Sequence, residues 1–315
     1  MNQPVWCTII SSEGKIGHAR QAEAIAARLA AVTRIVPALQ RPAPDYDADI
    51  VLAAGRQSIA PARLIARREG PRPLVAVLQP VLWRPHDFDL IWSPAHDRPT
   101  RLLPRPRNLV QTLTAPANTD PAVLVAAAEK LSAAVDFGPQ PRIGVMIGGP
   151  SAAHRFAGPE IDELAARLAA FAALHGVTLL VSTSRRTPRG TAQRIAARLG
   201  GEQHFVFDAA APGPLEPAAV YAAILHLGDA FIVTNDSVAM LSETAATGKP
   251  IYGWRLPGGK GKFERLYRGL EAHGALRWFD GGFTRWQYPP LDAASEVAEA
   301  IAARLGFTLE TAGRI

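Results

Sequence analysis

Short runs of apolar residues alternate along the chain with longer stretches in which apolar residues recur at helical spacing. Apolar runs of roughly 4–8 residues between turn residues are typical of the buried strands of a parallel sheet. In the first half the pattern predicts strands at residues 5–10, 50–54, 74–78, 90–93 and 108–112. In the second half it predicts strands at residues 143–147, 178–182, 204–207, 230–233 and 250–254.

The stretches between these runs are rich in Ala, Leu and Arg and carry the helical pattern. They predict helices at residues 19–31, 122–135, 159–175, 187–199, 220–227, 238–247 and 295–305. Strands that alternate with helices indicate an α/β fold with parallel sheets. Turn residues enclose the stretch between residues 113 and 141 and mark a domain break. We therefore expect two Rossmann-like domains, residues 1–138 and 139–285, followed by a C-terminal segment, residues 286–315.

The composition excludes a disordered protein and indicates an anionic partner without identifying it. The chain has 315 residues, 48% of them hydrophobic and 20% charged, with 34 Lys and Arg against 28 Asp and Glu. Disordered chains are less hydrophobic than this. Only five of the basic residues are lysines, and arginine suits phosphate and carboxylate groups. A compositional bias towards arginine explains the same numbers equally well.

The single cysteine and the absence of long apolar stretches favour a cytoplasmic enzyme or binding protein. Cys7 has no partner for an intramolecular disulfide and lies in the first predicted strand. No signal-peptide pattern and no uncharged window of about 18 residues is present in the sequence. Trp83, Arg84, Pro85 and Trp92 are the candidate patch for peripheral contact with the inner face of a membrane or with a lipid-linked acceptor; an ordinary core edge is the alternative.

A loop with two glycines follows the first predicted strand and precedes the first predicted helix. Gly14 and Gly17 allow the backbone to approach a ligand, and the start of the next helix favours negative charge. The spacing differs from that of dinucleotide-binding loops and of the P-loop. The loop also contains Lys15, and His18 at its end can act as a general base near neutral pH. A helix-start loop with a solvent-facing histidine is the alternative.

A second glycine loop follows the predicted strand 143–147. Gly148 and Gly149 permit a tight turn whose amides, with the hydroxyl of Ser151, can face a phosphate. His154 and Arg155 lie shortly beyond. A plain strand-to-helix turn accounts for the glycines alone.

A third polar loop follows the predicted strand 178–182. Ser184, Arg185 and Arg186 stand at the carboxyl end of this strand, where hydroxyl and guanidinium groups can hold an oxyanion. Arginines on an ordinary surface are the alternative.

The most informative motif covers residues 235–243. Asn235, Asp236 and Ser237 can cap the predicted helix, whose first amides favour a phosphate, and Met240 lies in its first turn. Glu243 comes seven residues after Asp236, two turns along the same face of the helix. A carboxylate at that place can accept hydrogen bonds from both hydroxyls of a ribose. A capped core helix with a surface glutamate is the alternative.

Two classes of site are not supported by the sequence. The histidines show no metal-ligand spacing, so we predict no metal site and no cofactor. No basic run with interleaved aromatics and no recognised nucleic-acid module is present, so we predict no nucleic-acid partner.

Several of these motifs resemble the elongated-mitochondria (ELM) family, which comprises plant mitochondrial-fission factors and uncharacterised bacterial proteins. The resemblance follows the chain nearly from end to end. The pieces that carry it are residues 79–80, 93–97, 148–150, 184–188, 236–243, 247–250 and 286–291.

The resemblance implies a GT-B glycosyltransferase-like fold, in which two facing Rossmann-like domains bind a nucleotide sugar and a last helix returns to the first domain. The stretch 236–243 is similar to the donor-binding helix of lipid-linked N-acetylglucosaminyl transferases and sugar-nucleotide 2-epimerases, where the glutamate matching Glu243 holds the ribose. The Gly14–His18 loop is similar to their first glycine-rich loop. This chain has Ser184, Arg185 and Arg186 where those enzymes have a second glycine-rich loop.

The leading hypothesis is therefore a metal-independent glycosyltransferase with a nucleoside-diphosphate sugar as donor and His18 as the base. A non-catalytic scaffold that recruits a protein partner, as described for the plant members, is the second hypothesis. A sugar-nucleotide 2-epimerase or hydrolase is the third.

Overall fold

The computed structural model describes residues 4–12, 16–39, 47–97, 105–211, 215–259 and 261–306. The chain divides into two compact units. Unit 1 comprises Met1–Asn118 and Asp292–Ile315, and unit 2 comprises Thr119–Leu291. Within the described residues each unit contains one sheet of six parallel strands, so the predicted α/β class with parallel sheets is confirmed.

In unit 1 the spatial order of the strands is β2-β1-β3-β4-β5-β6. They are β1 (Trp6–Ser11), β2 (Val32–Pro37), β3 (Ile50–Ala54), β4 (Leu74–Val77), β5 (Leu90–Pro94) and β6 (Leu109–Thr112). The α-helices described in this unit are α1 (Ile16–Arg28), α2 (Ile59–Ala66) and, near the end of the chain, α9 (Ala293–Leu305).

The central strand β3 shows why an uninterrupted apolar run is needed in such a sheet. Successive side chains of a strand point to opposite faces. Ile50 and Leu52 pack into a layer with α1 and α9, whereas Val51 and Ala53 pack into a second layer with α2. Both faces of the strand are covered by helices, so every position of β3 is apolar and buried.

The C-terminal helix α9 packs on α1 of unit 1, as the sequence interpretation expects. Its apolar residues recur at helical spacing, and Val297, Ala298 and Ile301 are buried in the same core layer as α1. Asp292 caps the helix by accepting a hydrogen bond from the amide of Ser295 at 3.1 Å, and it forms an ion pair with Arg28 of α1 at 3.0 Å. These contacts place the last described helix in the N-terminal unit.

In unit 2 the spatial order of the strands is β12-β11-β10-β7-β8-β9. The strands are β7 (Arg142–Met146), β8 (Thr178–Ser182), β9 (Phe205–Phe207), β10 (Ala230–Thr234), β11 (Ile251–Trp254) and β12 (Leu276–Trp278). The helices are α3 (Pro121–Ala134), α4 (Gly158–His175), α5 (Thr191–Leu199), α6 (Pro217–Leu227), α7 (Val238–Ala245) and α8 (Gly261–Ala272). Counted from β7, this is the order 3-2-1-4-5-6 of a Rossmann unit. Unit 1 follows a different order, 2-1-3-4-5-6 when its strands are counted along the chain. Two Rossmann-like units, with a final helix returning to the first, give the chain the order of elements of the GT-B fold.

The division of the chain differs from the predicted one at helix α3. The prediction placed residues up to 138 in the N-terminal domain, but α3 packs on α6 and belongs to unit 2. A turn-rich stretch marks a break without showing which side its helix packs on. Residues 286–291 likewise belong to unit 2.

Among the described residues, two strands and two α-helices were not predicted: β2, β12, α2 and α8. The strands β2 and β12 lie at the edges of their sheets. Val32 and Ile35 of β2 are 42% and 49% exposed, so this strand lacks the buried apolar run on which the prediction depended.

Candidate functional site

The loops after β7 and β10 meet at the point where the strand order of unit 2 changes direction. The strands β7 and β10 are neighbours, and the chain continues from them towards opposite edges of the sheet. Ligands of open α/β sheets bind at the carboxyl ends of the strands at such a switch point. The sequence motifs at 148–151 and 235–243 both begin here, so the structure brings together two motifs that lie far apart in the chain.

Two backbone amides of the Gly148–Gly149 turn are tied to the loop after β10. The amide of Gly148 donates to the hydroxyl oxygen of Thr234 at 2.8 Å, and the amide of Gly149 donates to Oδ2 of Asp236 at 2.9 Å. A Cβ atom at Gly148 would collide with the Asp236 carboxylate, and one at Gly149 would collide with the backbone of Arg186. Both glycines are therefore required by close packing.

Arg186 holds these loops together from the carboxyl end of β8. Its Nη2 atom contacts Oδ2 of Asp236 at 2.8 Å, and its Nη1 atom donates to the carbonyl oxygen of Gly149 at 3.1 Å. The hydroxyl of Ser184 donates to the carbonyl oxygen of Gly148 at 3.0 Å. Arg185 is exposed and makes no hydrogen bond or ion pair within the part of the chain that the structure describes.

These contacts narrow the predicted diphosphate cradle. The sequence interpretation expected the amide of Gly149 and the hydroxyl of Ser151 to be available to a phosphate. The amide of Gly149, however, already donates to Asp236. The hydroxyl oxygen of Ser151 accepts the amides of Ala153 and His154 at 3.2 and 3.1 Å. The first turn of α7 and Arg185 are the groups that keep hydrogen-bonding capacity for an anion.

Of the three residues predicted as possible caps of α7, Ser237 is the one that caps it. Its hydroxyl oxygen accepts the amide of Met240 at 3.3 Å. The amides of Val238 and Ala239 have no acceptor among the described residues, as is usual in the first turn of a helix. This turn therefore offers N–H groups and a partial positive charge.

Asn235 accepts two hydrogen bonds from other parts of unit 2. Its Oδ1 atom accepts the amide of Leu256 at 2.9 Å, and its carbonyl oxygen accepts the hydroxyl of Tyr267 at 2.6 Å. The residue is 4% exposed. Asn235 thus fixes the loop that carries Asp236 against the segment after β11.

Glu243 lies further along α7 and is half-buried beside Tyr221 of α6. Burial and the Glu243 carboxylate together raise the pKa of the Tyr221 hydroxyl well above its usual value. The hydroxyl therefore stays protonated next to the carboxylate, as a hydrogen-bond donor. Tyr221 was missed by the sequence interpretation, because only the contact between α6 and α7 reveals it.

His154 is a second residue outside the predicted site set. It is 3% exposed, and its backbone pairs with Gly258, while the amide of Gly259 donates to the Ala153 carbonyl oxygen at 2.6 Å. Burial lowers the pKa of its imidazole, with the charges of Asp236 and Arg186 acting in opposite directions. The loop that contains His154 therefore lies against the segment after β11, next to the loop of Asp236.

Unit 1 has its own switch point, between β1 and β3, and His18 lies there. The Nδ1 atom of His18 is buried against Gly55, where a Cβ would approach it to 2.7 Å. Gly55 has φ +95°, a conformation that glycine adopts without strain. Gly17 is exposed, and the predicted loop residues Gly14 and Lys15 lie outside the described residues.

One residue of the predicted membrane patch, Trp92, does not lie at the surface. Trp92 is 3% exposed and its indole nitrogen donates to Thr112 at 2.9 Å, so it belongs to the core of unit 1. Trp83 is 61% exposed, with the guanidinium groups of Arg63 and Arg84 stacked over its ring at 4.9 and 4.8 Å.

The described residues lack two features that would indicate a membrane or a metal. Among them, no helix is both long and apolar enough to cross a membrane. Nor do they contain a group of three or more His, Cys, Asp or Glu side chains placed to hold a metal ion.

Comparisons with known proteins identify relatives along nearly the whole chain. The family model described as Mitochondrial fission ELM1 matches residues 6–305. The Mitochondrial fission protein ELM1 of Arabidopsis thaliana is 30% identical over 288 residues, which are 83% of this chain and 66% of that protein. The chain thus spans just under two thirds of the plant relative's length.

Two solved structures with similar folds cover both chains almost completely. MnaA of S. aureus, in a co-structure with UDP, has 12% identity and a TM-score of 0.49, and covers 99% of this chain and 100% of its own. MurG of Acinetobacter baumannii has 13% identity and a TM-score of 0.47, with 98% and 96% coverage.

Proposed function

We propose that this chain, which belongs to the mitochondrial fission ELM1 family, is a glycosyltransferase that uses a nucleoside-diphosphate sugar bound at the switch point of unit 2. The observation that carries the proposal is the cluster at this point. There the open first turn of α7 and Arg185 lie at the carboxyl ends of strands in the Rossmann order, and Glu243 follows further along α7.

In the proposed complex the donor lies along α7, with its diphosphate at the start of the helix and its ribose further along. The diphosphate binds at the first turn, where the amides of Val238 and Ala239 and the charge of Arg185 are available. The ribose lies along the helix, and its hydroxyls donate to the Glu243 carboxylate two turns later. Gly148, Ser184 and Arg186 act indirectly, since their contacts hold the loops in place.

The proposed reaction transfers the sugar to an acceptor hydroxyl. The acceptor oxygen forms a bond to the anomeric carbon, and the bond from that carbon to the diphosphate oxygen breaks with its electron pair. His18 of unit 1 takes the proton of the acceptor hydroxyl. The departing nucleoside diphosphate is stabilised by the first turn of α7 and by arginine, in the manner of an oxyanion hole, without a metal. A lipid-linked acceptor is the proposed class.

A donor screen tests the proposal directly. UDP-, GDP-, ADP- and CMP-sugars are titrated into the full chain by isothermal calorimetry, with Glu243→Ala and Glu163→Ala as a matched pair. Glu163 is an exposed carboxylate on α4, so its variant should bind like the wild type while Glu243→Ala loses affinity. Failure of every donor to bind, or equal binding by both variants, contradicts the proposal.

A turnover assay tests the role of His18. His18→Ala should bind the donor normally and lose transfer to an acceptor, whereas the same change at the exposed His226 should leave both unchanged. Consumption of donor with no acceptor present would instead identify a hydrolase or a 2-epimerase.

A scaffold function is the second candidate, and the 30% identity to a protein named for mitochondrial fission favours it. In that case the chain recruits a protein partner and the α7 site has lost its ligand. Thermal unfolding with and without nucleotides separates the two functions, since a bound ligand raises the midpoint by mass action. No change in midpoint with any nucleotide would favour the scaffold.

A further inference from the structure

Two buried polar atoms near the start of α7 have no hydrogen-bond partner among the described residues. They are Oδ1 of Asp236 and Nε2 of His154. Asp236 is 7% exposed and His154 is 3% exposed. Buried polar atoms are nearly always satisfied, and an unsatisfied one costs about 1–3 kcal/mol. Two of them at one switch point indicate that a ligand supplies the missing partners.

The Asp236 carboxylate can only accept hydrogen bonds at its open oxygen. Its other oxygen, Oδ2, already receives the amide of Gly149 and the guanidinium of Arg186 at 2.9 and 2.8 Å. The Arg186 guanidinium is the counter-charge of this carboxylate, and the two form an ion pair at 2.8 Å. The open Oδ1 therefore requires an O–H or N–H group, and a bare phosphate oxygen would be repelled there.

The contacts of the His154 imidazole determine which of its nitrogens carries the proton. Its Nδ1 atom lies 3.4 Å from the hydroxyl oxygen of Ser151. That oxygen already accepts the amides of Ala153 and His154, so its own proton points to Nδ1. Nδ1 is then the acceptor, and in the neutral ring the proton is on Nε2.

Burial of the His154 side chain favours this neutral ring. Burial lowers the pKa of the imidazole. The charge of Arg186 lowers this pKa further, whereas the charges of Asp236 and Glu264 raise it. Near neutral pH the open Nε2 atom is consequently a hydrogen-bond donor. The two open atoms are thus one acceptor and one donor, and the charge of Asp236 acts on the His154 ring.

We propose that Asp236 and His154 bind a sugar hydroxyl of the ligand, which donates to Oδ1 and accepts from Nε2. A hydroxyl is both donor and acceptor, so it satisfies both atoms, whereas a phosphate satisfies only His154. This inference rests on the proposed function and specifies it: the pair recognises the sugar, while the first turn of α7 and Arg185 hold the diphosphate.

The experiment compares the sugar nucleotide with the nucleoside diphosphate alone. UDP and UDP-glucose, GDP and GDP-mannose, and ADP and ADP-glucose are titrated into the wild type, Asp236→Asn and His154→Phe. Asn at 236 keeps an oxygen for the Gly149 amide and replaces the open acceptor by an N–H donor. His226→Phe, on an exposed histidine, is the matched control.

In the wild type the sugar should increase affinity for the nucleotide about 10-fold or more, the effect of one hydrogen bond to a charged group. Asp236→Asn and His154→Phe should abolish this increase, which is measured within each variant as the ratio of its affinities for the sugar nucleotide and for the nucleoside diphosphate. His154→Gln, which restores an N–H donor, should recover part of it. Sugar nucleotides that each lack one hydroxyl provide the same comparison on the wild-type protein without a mutation. One of these deoxy compounds should bind much more weakly than the others.

The possible failures are distinguishable. If the sugar nucleotides bind but the sugar's contribution is the same in the variants, or no deoxy position matters, the hydroxyl site is wrong and the proposed function stands. If no nucleotide binds, free glucose and mannose are tested by saturation-transfer NMR. If the free sugar binds and Asp236→Asn abolishes this binding, the hydroxyl site is supported and the nucleotide-sugar function is contradicted. If the free sugars do not bind either, both the hydroxyl site and the proposed function are overturned.

Discussion

Replacement of Thr234 by valine tests whether the two loops at the switch point of unit 2 depend on each other. Thr234 is 2% exposed, and its hydroxyl oxygen accepts the Gly148 amide at 2.8 Å. Valine has nearly the same shape but no acceptor, so the amide would be left buried without a partner. That loss costs about 1–3 kcal/mol.

The expected change in thermal stability follows from this cost. For a unit of roughly 150–250 residues, 1 kcal/mol shifts the unfolding midpoint by about 2–4 °C, so a cost of about 2 kcal/mol gives a fall of about 4–8 °C. Thr234→Ser is the control, because it keeps the oxygen and removes one buried methyl group at a cost of about 1 kcal/mol.

Differential scanning calorimetry measures the midpoint, and amide hydrogen exchange measures the local effect at Gly148. The Gly148 amide should exchange faster in the valine variant and at the wild-type rate in the serine variant. Donor affinity should fall in the valine variant only, since the Gly148–Gly149 turn loses one of the two hydrogen bonds made by its amides. A midpoint within about 1 °C of the wild type, with unchanged exchange at Gly148, would refute the reasoning.

Three further predictions concern other parts of the chain. Burial raises the pKa of the Cys7 thiol to about 12, so below that pH the thiol stays protonated and unreactive in the folded protein. Alkylation of Cys7 by iodoacetamide at pH 8 should therefore proceed only as unfolding exposes the thiol. Rapid alkylation of the folded protein would contradict the burial of Cys7. Tyr221→Phe removes the hydroxyl beside Glu243 and should weaken donor binding several-fold in calorimetry with little change in the unfolding midpoint, whereas unchanged affinity would exclude Tyr221 from the site. Ile301→Ala opens a cavity between α9 and α1 and should destabilise unit 1 by about 2–5 kcal/mol in urea unfolding. Glu299→Ala, on the exposed face of α9, is the control. If both variants lose the same free energy of unfolding, α9 does not stabilise the unit.

Much of the fold was predictable because parallel sheets leave a strong signal in the sequence. The strands β3 and β8 were predicted with the bounds that the structure gives them. Both are buried throughout, so an unbroken apolar run marks each of them. The edge strand β2 was missed because four of its first five residues are exposed, and its hydrogen bonds with β1 are what keep it extended.

The candidate site was predictable in its location but not in its contacts. Glycines and capping residues after a strand indicate a strand-to-helix turn, which placed Gly149, Asp236 and Ser237 at the carboxyl ends of β7 and β10. The sequence did not show that Asp236 accepts the Gly149 amide, because these residues lie 87 positions apart. It therefore assigned to a phosphate an amide that the protein itself uses.

The sequence by itself determined the class of the fold, the alternation of strands and helices, and the start of α7 at Ser237, because each depends on local periodicity or on capping chemistry. Only the tertiary structure decided that α3 belongs to unit 2 and that Arg186 pairs with Asp236. The same holds for the two open atoms of Asp236 and His154. Hydrogen bonds and burial between distant segments depend on which strands become neighbours in the sheet, and that is a property of the folded chain as a whole.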